Sequence, residues 1–228
     1  MKSIKILLLL SIFVTSCGVQ KFESPEFLAR TANHKMVAIL PPVIQYSNPK
    51  TGSIILNNDK TVQMQTESYT LQKHLYQRLL NEKTKKDPIT INFQDVIRTN
   101  DLLKKSKIET KELLDKTPEE LSKILGVDAV VVNIVEKEII IDEQIMGIAN
   151  VGIQILDAIK TPGENATPAR MIRTGVMKLN SSLNDGKDGF VLWNSFKDFD
   201  ITIDNLSDDI LTQYGNQCAR SFPYRTKK

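Results

Sequence analysis

The chain has little of what catalytic and metal sites are usually built from. Its 228 residues include only two cysteines and two histidines. His34 and His74 lie far apart, and neither has a second ligand at metal-binding spacing, so no metal site is expected. The sequence contains no Gly-x-Ser-x-Gly elbow, no His-Glu-x-x-His pair, no paired-cysteine site and no glycine-rich dinucleotide loop. No residue is therefore a catalytic candidate, no cofactor is expected, and the chain reads as a non-enzyme. Ser195 with His74 comes nearest to a hydrolase pair, but nothing in the sequence brings the two together. Glu136, Glu138, Asp142 and Glu143 read as the charged end of a strand leaving the core. An excess of one charge is missing as well: 30 Lys and Arg stand against 27 Asp and Glu, a formal +3. That balance gives no electrostatic footprint for nucleic acid, and the Lys83-Lys85-Lys86 and Lys104-Lys105-Lys107 runs read as solvated helix ends. A membrane-spanning run is absent too, because the apolar stretch Leu7 to Val14 falls well short of the roughly twenty residues needed to span a bilayer.

What the chain does have is an amino-terminal address. Lys2 and Lys5 precede the Leu7–Val14 core, and small residues then lead to Cys17, the pattern of a secretory signal peptide. Val14-Thr15-Ser16-Cys17 resembles a bacterial lipobox. That resemblance implies cleavage before Cys17, acylation of its sulfur and amino group, and attachment to a membrane by lipid. Residues 1–16 then form the signal peptide, 17–35 a lipidated tether with one turn of helix near Phe27–Arg30, and 36–228 a single domain. With the Cys17 sulfur acylated, Cys218 is unpaired and reads as a small buried hydrophobe. Gly18 stands where an Asp would favour inner-membrane retention in some bacteria, and the lipoprotein resemblance then implies the outer membrane, facing the periplasm.

The rest reads as alternating strands and helices. Met36–Leu40 is an unbroken apolar run stopped by Pro41-Pro42, as a strand covered on both faces requires. A hairpin or loop is expected over 45–64, and a helix over 67–82 with Leu71, Leu75 and Leu79 on one stripe. Ile89–Phe93 reads as strand, with short helical pieces at Leu102-Leu103 and Leu113-Leu114. Thr117, Pro118 and Glu120 form a capping box, and Gly126 is placed for a left-handed helix end. Val127–Val135 follows as a buried strand that can continue through Ile141. Two more strands, 171–180 and 189–201, flank Asp185-Gly186 and Asp188-Gly189, and Trp193 reads as a core or sheet-face anchor. Asn205 can cap a last helix bearing Ile210, Leu211, Tyr214 and Cys218, ended by Ser221–Tyr224. The fold class is α/β: one mixed sheet with helices packed on it. Ile145–Ile159 stands apart, because as a helix it is apolar nearly all round. It reads as a core helix or as a surface for a partner or membrane, with Ile145, Ile148, Ile155 and Ile159 as its candidate contacts.

Three segments carry a family resemblance: Val37-Ala38-Ile39-Leu40-Pro41-Pro42, Glu120 through Val131, and Lys178-Leu179 through Leu192-Trp193. Together they resemble bacterial envelope lipoproteins related to the TolB amino-terminal domain, a group that includes CsgG, the curli secretion channel subunit, and the Lpo-type activators of peptidoglycan synthases. The likeness covers about Met36 to Phe222. It implies a TolB amino-terminal-domain-like fold and a non-enzymatic accessory or scaffold role beside an envelope protein partner. The alternative it implies is an oligomeric CsgG-like export component. The sequence departs from the channel pattern at Ile145–Ile159, where a β-barrel wall would need alternating strands.

Overall fold

A run such as Val37–Leu40, apolar at every position, is stable only with both faces of its strand covered, and it lies at the centre of the molecule with all four residues buried. The structure, a computed structural model, describes residues 20–47, 54–55, 61–139, 173–202 and 208–225. The elements in chain order are β1 (Gln20–Glu23), α1 (Phe27–Thr31), β2 (Met36–Ile39), β3 (Val43–Ser47), β4 (Ile54–Ile55), α2 (Thr61–Glu82), β5 (Asn92–Phe93), α3 (Val96–Lys105), a 3-10 turn (Thr110–Asp115), α4 (Pro118–Leu125), β6 (Ala129–Ile139), β7 (Arg173–Asp185), β8 (Val191–Thr202) and α5 (Asp208–Ser221). They form an α/β fold with a single mixed sheet and helices packed on it, as the sequence predicts.

The sheet runs β1-β8-β7-β6-β2-β5. β6 is its spine. On one side it pairs antiparallel with β7 along eleven positions, from Ala129↔Asp185 to Ile139↔Gly175. On the other side it takes two parallel partners end to end: β2 at Val37↔Ala129 and β3 from Val43↔Ile134 onward. Pro41 and Pro42 fall between those two pairings, where neither has to donate a ladder hydrogen bond. Alternation along the strands makes two cores. On one face Val37, Ile39, Val131, Val135, Leu183 and Trp193 meet Leu71, Leu75 and Leu79 of α2 and Tyr214 and Cys218 of α5. On the other, Ala38, Leu40, Val43 and Val130 meet Leu103 of α3, Leu113 of the 3-10 turn, and Leu121 and Leu125 of α4.

Local chemistry sets the helix ends. Thr117 and Glu120 make both halves of the capping box at the start of α4, Pro118 takes the first turn, and Gly126 closes the helix at φ 67°. Asp95 caps α3 by accepting from the Ile97 and Arg98 amides. Between α5 and the sheet lies one buried polar row. Asn133, Ser181 and Ser195 are register partners across β6, β7 and β8. Tyr214 donates its hydroxyl to Asn133 Oδ1 at 2.7 Å, and Ser181 Oγ lies 3.3 Å from both Tyr214 and Cys218 Sγ.

The structure corrects the amino-terminal reading. Residues 20–35, expected as tether, fold onto the domain: β1 adds to the β8 edge, with Gln20 opposite Phe196 and Glu23 opposite Trp193. Phe27 of α1 is buried against Tyr224, ring centroids 5.1 Å apart. The expected turn of helix near Phe27–Arg30 stands as α1, but four residues of edge strand are too short to show a periodicity, and the docking of both onto the domain has no local signal. α2 begins at Thr61, within the segment expected to be hairpin or loop, and the strand expected at 89–93 is reduced to Asn92–Phe93 with an Ile89–Arg225 bridge before it. Cys17, Asn205 and Ile145, Ile148, Ile155 and Ile159 lie outside the described residues.

Two tests follow from this packing. Burial pushes the Cys218 thiol up from 9.0 to about 11. The unfolded thiol ionises first, so the Cys218 contribution to stability is full below pH 9 and is lost as pH rises through 11. Urea unfolding at pH 8 and pH 10 is expected to show a larger stability drop for the wild type than for Cys218→Ala. Equal drops would contradict the burial. The second test concerns glycine. A Cβ on Gly186 would sit 2.7 Å from both the Asp128 carbonyl oxygen and Ser122 Cβ, whereas one on Gly126 meets nothing within 4 Å. Gly186→Ala is expected to cost about 2–3 kcal/mol by overpacking, and Gly126→Ala about 1 kcal/mol from its left-handed backbone alone.

Candidate functional site

A groove of about 740 Å³ opens at one end of the sheet, lined by α1, the chain between α1 and β2, the α4–β6 connection and the β7–β8 turn. Its floor is built from main-chain contacts. Asp128 Oδ2 accepts from the Lys35 and Met36 amides at 2.7 and 2.9 Å, fastening the start of β2 to the start of β6. Gly186 donates its amide to the Asp128 carbonyl at 2.8 Å, which brings in the β7–β8 turn. Within that turn Asp185 Oδ1 accepts from the Lys187 amide at 3.0 Å, and Gly189, at φ 72°, donates to the Asp185 carbonyl.

Side chains then tie three parts of the chain together. The Asp185 side chain is only 5% exposed. Arg30 reaches it from α1, with Nη1 3.4 Å from Asp185 Oδ2 and 2.9 Å from Asp188 Oδ2, while Nε bonds Glu26 at 2.9 Å. The guanidinium lies 4.1 Å over the Phe190 ring. Hydrogen bonds to Asp188 and then Glu26 raise the Arg30 guanidinium above its ordinary value, and Arg30 in turn lowers Asp188. From the carboxyl-terminal tail, the Tyr224 hydroxyl meets His34 Nδ1 at 2.6 Å, and His34 Nε2 lies 3.8 Å from Asp185 Oδ1. Burial raises the Tyr224 phenol well above its usual range, and the charges of Asp185 and Asp128 add to the effect. The phenol therefore keeps its proton, and the His34 ring stands between it and the Asp185 carboxylate.

This chemistry favours holding over reacting. The Tyr224-His34-Asp185 line has the order of a relay, but its terminal hydroxyl is a buried phenol held in its neutral form rather than an activated nucleophile. Among the described residues no group of three His, Cys, Asp or Glu side chains is placed to hold a metal ion. Four carboxylates line the groove against Arg30 and Lys187, so it suits cationic or hydrogen-bond-donating groups better than anions. It also sits at the amino-terminal ends of the parallel strands β2 and β6, opposite to where open α/β sheets place their ligands.

The sequence candidates are scattered elsewhere. Ser195 is buried in the core, and among the described residues its Oγ has no hydrogen-bond partner. His74 sits on α2, partly exposed. Glu136 and Glu138 flank Lys178 on the sheet surface, where Glu138 bonds it directly and raises its amine. Trp193 is a core anchor as predicted, 5.7 Å from the Phe222 ring. The groove residues His34, Arg30 and Asp128 went unmarked in the sequence, and Asp185 and Asp188 registered only as turn formers. Their one local signal was the repeated Asp-Gly pair.

No protein-family model matches the chain, and no match was found among curated proteins. Solved structures do resemble it loosely. Lipoprotein GNA1162 from Neisseria meningitidis is 16% identical, covers 82% of this chain and 99% of its own, and overlays at a TM-score of 0.42. The PelC L103M dodecamer from Paraburkholderia phytofirmans is 12% identical, with 91% and 96% coverage and a TM-score of 0.39. The LpoB C-terminal domain from Salmonella enterica is 9% identical, with 74% and 84% coverage and a TM-score of 0.34. Overlays this loose fix neither the activity nor the assembly of the chain.

Removing the Asp185 carboxylate orphans the Lys187 amide and strips both Arg30 and His34 of a buried partner. Asp185→Ala is expected to lower stability in urea by about 2 kcal/mol, the scale of a lost charge-assisted bond with an orphaned donor. A change below a few tenths would show that the corner is not held by this residue.

Proposed function

We propose that this protein is a lipid-anchored lipoprotein of the cell envelope whose folded domain is a non-enzymatic accessory or scaffold. The observation that carries this reading is Val14-Thr15-Ser16-Cys17 behind a basic, apolar leader. A groove in which Glu26, Asp185 and Asp188 already bind Arg30 supports the non-enzymatic part. The motifs Val37–Pro42, Glu120–Val131 and Lys178–Trp193 are the basis for grouping it with the TolB amino-terminal-domain-like lipoproteins, and that grouping, with Gly18 after Cys17, is the basis for proposing the outer membrane, facing the periplasm. On this reading the role is to bring the domain to an envelope protein partner.

The test is mass spectrometry of the mature amino terminus together with crosslinking in native membranes. The expected result is a peptide beginning at Cys17 with diacylglyceryl and acyl groups. Cys17→Ser is expected to leave the membrane fraction and lose a specific crosslinked envelope protein. An unmodified Cys17 in a protein that still sediments with membranes would overturn the lipid anchor. Turnover of an envelope substrate by the purified protein would overturn the non-enzymatic part.

A further inference from the structure

We infer that the open face of the β8–β1 edge, centred on Phe22 and Phe196, is a bilayer-contacting surface that seats the domain directly on the lipid headgroups. This deepens the lipoprotein reading and rests on lipidation of Cys17.

Chain length sets how far the domain can stand from the lipid. Gln20 is already a strand residue, paired with Phe196, so only three residue steps separate Cys17 from the sheet. Fully extended, three steps span about 10–11 Å. The headgroup region on each side of a bilayer is roughly 5–8 Å deep, the difference between a hydrocarbon core of about 30 Å and a full thickness of about 40–45 Å. A lipid on Cys17 fixes that residue at the boundary of the hydrocarbon, so the β1 edge starts within the headgroups or just above them. The domain has no slack with which to stand away.

The side chains at that edge suit the same neighbour. Antiparallel register places Gln20 with Phe196 and Phe22 with Asn194 on one face of the sheet, and Phe22, two residues beyond Gln20, is about 7 Å further along. Phe22 is 49% exposed, Phe196 is half-buried, and between them Asn194 bonds Asn180 across β8 and β7 at 2.7 Å. Two aromatic rings around an amide pair combine apolar contact with headgroup hydrogen bonding, the mixture an interfacial surface uses. The charged groove lies at the far end of β7, at Asp185, beyond the level of Gln20.

The test uses the full lipidated protein in phosphatidylethanolamine–phosphatidylglycerol vesicles, with or without brominated acyl chains. Tryptophan is introduced as Phe22→Trp, or as Phe196→Trp should the first variant fail to fold, and the emission of the native Trp193 is subtracted. Val62→Trp on α2, which lies on the opposite face of the sheet and is 77% exposed, is the comparison. Bromination is expected to quench the Phe22→Trp emission by about half, since interfacial side chains lie some 5–10 Å into the headgroup boundary, and to leave Val62→Trp unchanged. Equal quenching of the two, with the Cys17 lipid verified by mass, overturns the seating and leaves the anchor standing. Phe22→Trp unquenched in vesicles but shielded in native membranes also overturns it, in favour of a protein neighbour. Absence of lipid on Cys17 overturns both readings together.

Discussion

A buried carboxylate inside a turn is the constraint on which the corner of this molecule depends. Asp185 ends β7, shapes the turn into β8, and faces Arg30 of α1 and His34 ahead of β2. Through His34 it is coupled to Tyr224 in the carboxyl-terminal tail. A carboxylate with so little exposure is tolerated only when its lone pairs are used; the Lys187 amide uses one locally, and Arg30 reaches the other oxygen from a segment distant in sequence. Forming the β7–β8 hairpin therefore creates a charge that the amino-terminal arm has to satisfy. That requirement, together with the edge pairing of β1 and the packing of Phe27 on Tyr224, turns the first described residues into part of the domain.

The same corner explains why the sheet can be mixed. β2 and β3 run parallel to β6, whereas β7, β8 and β1 are antiparallel additions on its other side. The parallel half is covered on both faces, by α2 on one and by α3, the 3-10 turn and α4 on the other, which agrees with its near-continuous apolar strands. The antiparallel half alternates, with Leu183 and Trp193 inward and Asn180, Asn194 and Asp198 outward. Gly186 joins the two halves by donating its amide to the Asp128 carbonyl, while the Asp128 carboxylate accepts from the Lys35 and Met36 amides at the start of β2. Gly186 is confined to glycine there because the two connections approach closer than any Cβ allows.

Much of this was legible in the sequence wherever the signal was local. The α4 capping box, its glycine stop, the Val37–Leu40 strand, the Leu71-Leu75-Leu79 stripe and the Asp-Gly turn each depend on residues a few positions apart, and each stands where it was expected. Burial of Cys218 and Trp193 followed from residue type, a small thiol and a large aromatic. What stayed hidden was non-local. Arg30 and His34 have no meaning until β7 and β8 bring Asp185 beside them, and β1 has none until β8 offers an edge. The groove is likewise a product of tertiary contacts between single residues, so no spacing in the sequence could mark it.

The account stands or falls on whether the amino-terminal arm belongs to the cooperative core. Native-state hydrogen exchange under increasing denaturant tests this directly, because it reports the opening free energy of each segment. The amides of β1 and α1 are predicted to exchange through the same opening, with the same denaturant dependence, as those of β8. A separate, low-energy opening of β1 and α1, with β8 still protected, would show that residues 20–35 are a tether after all.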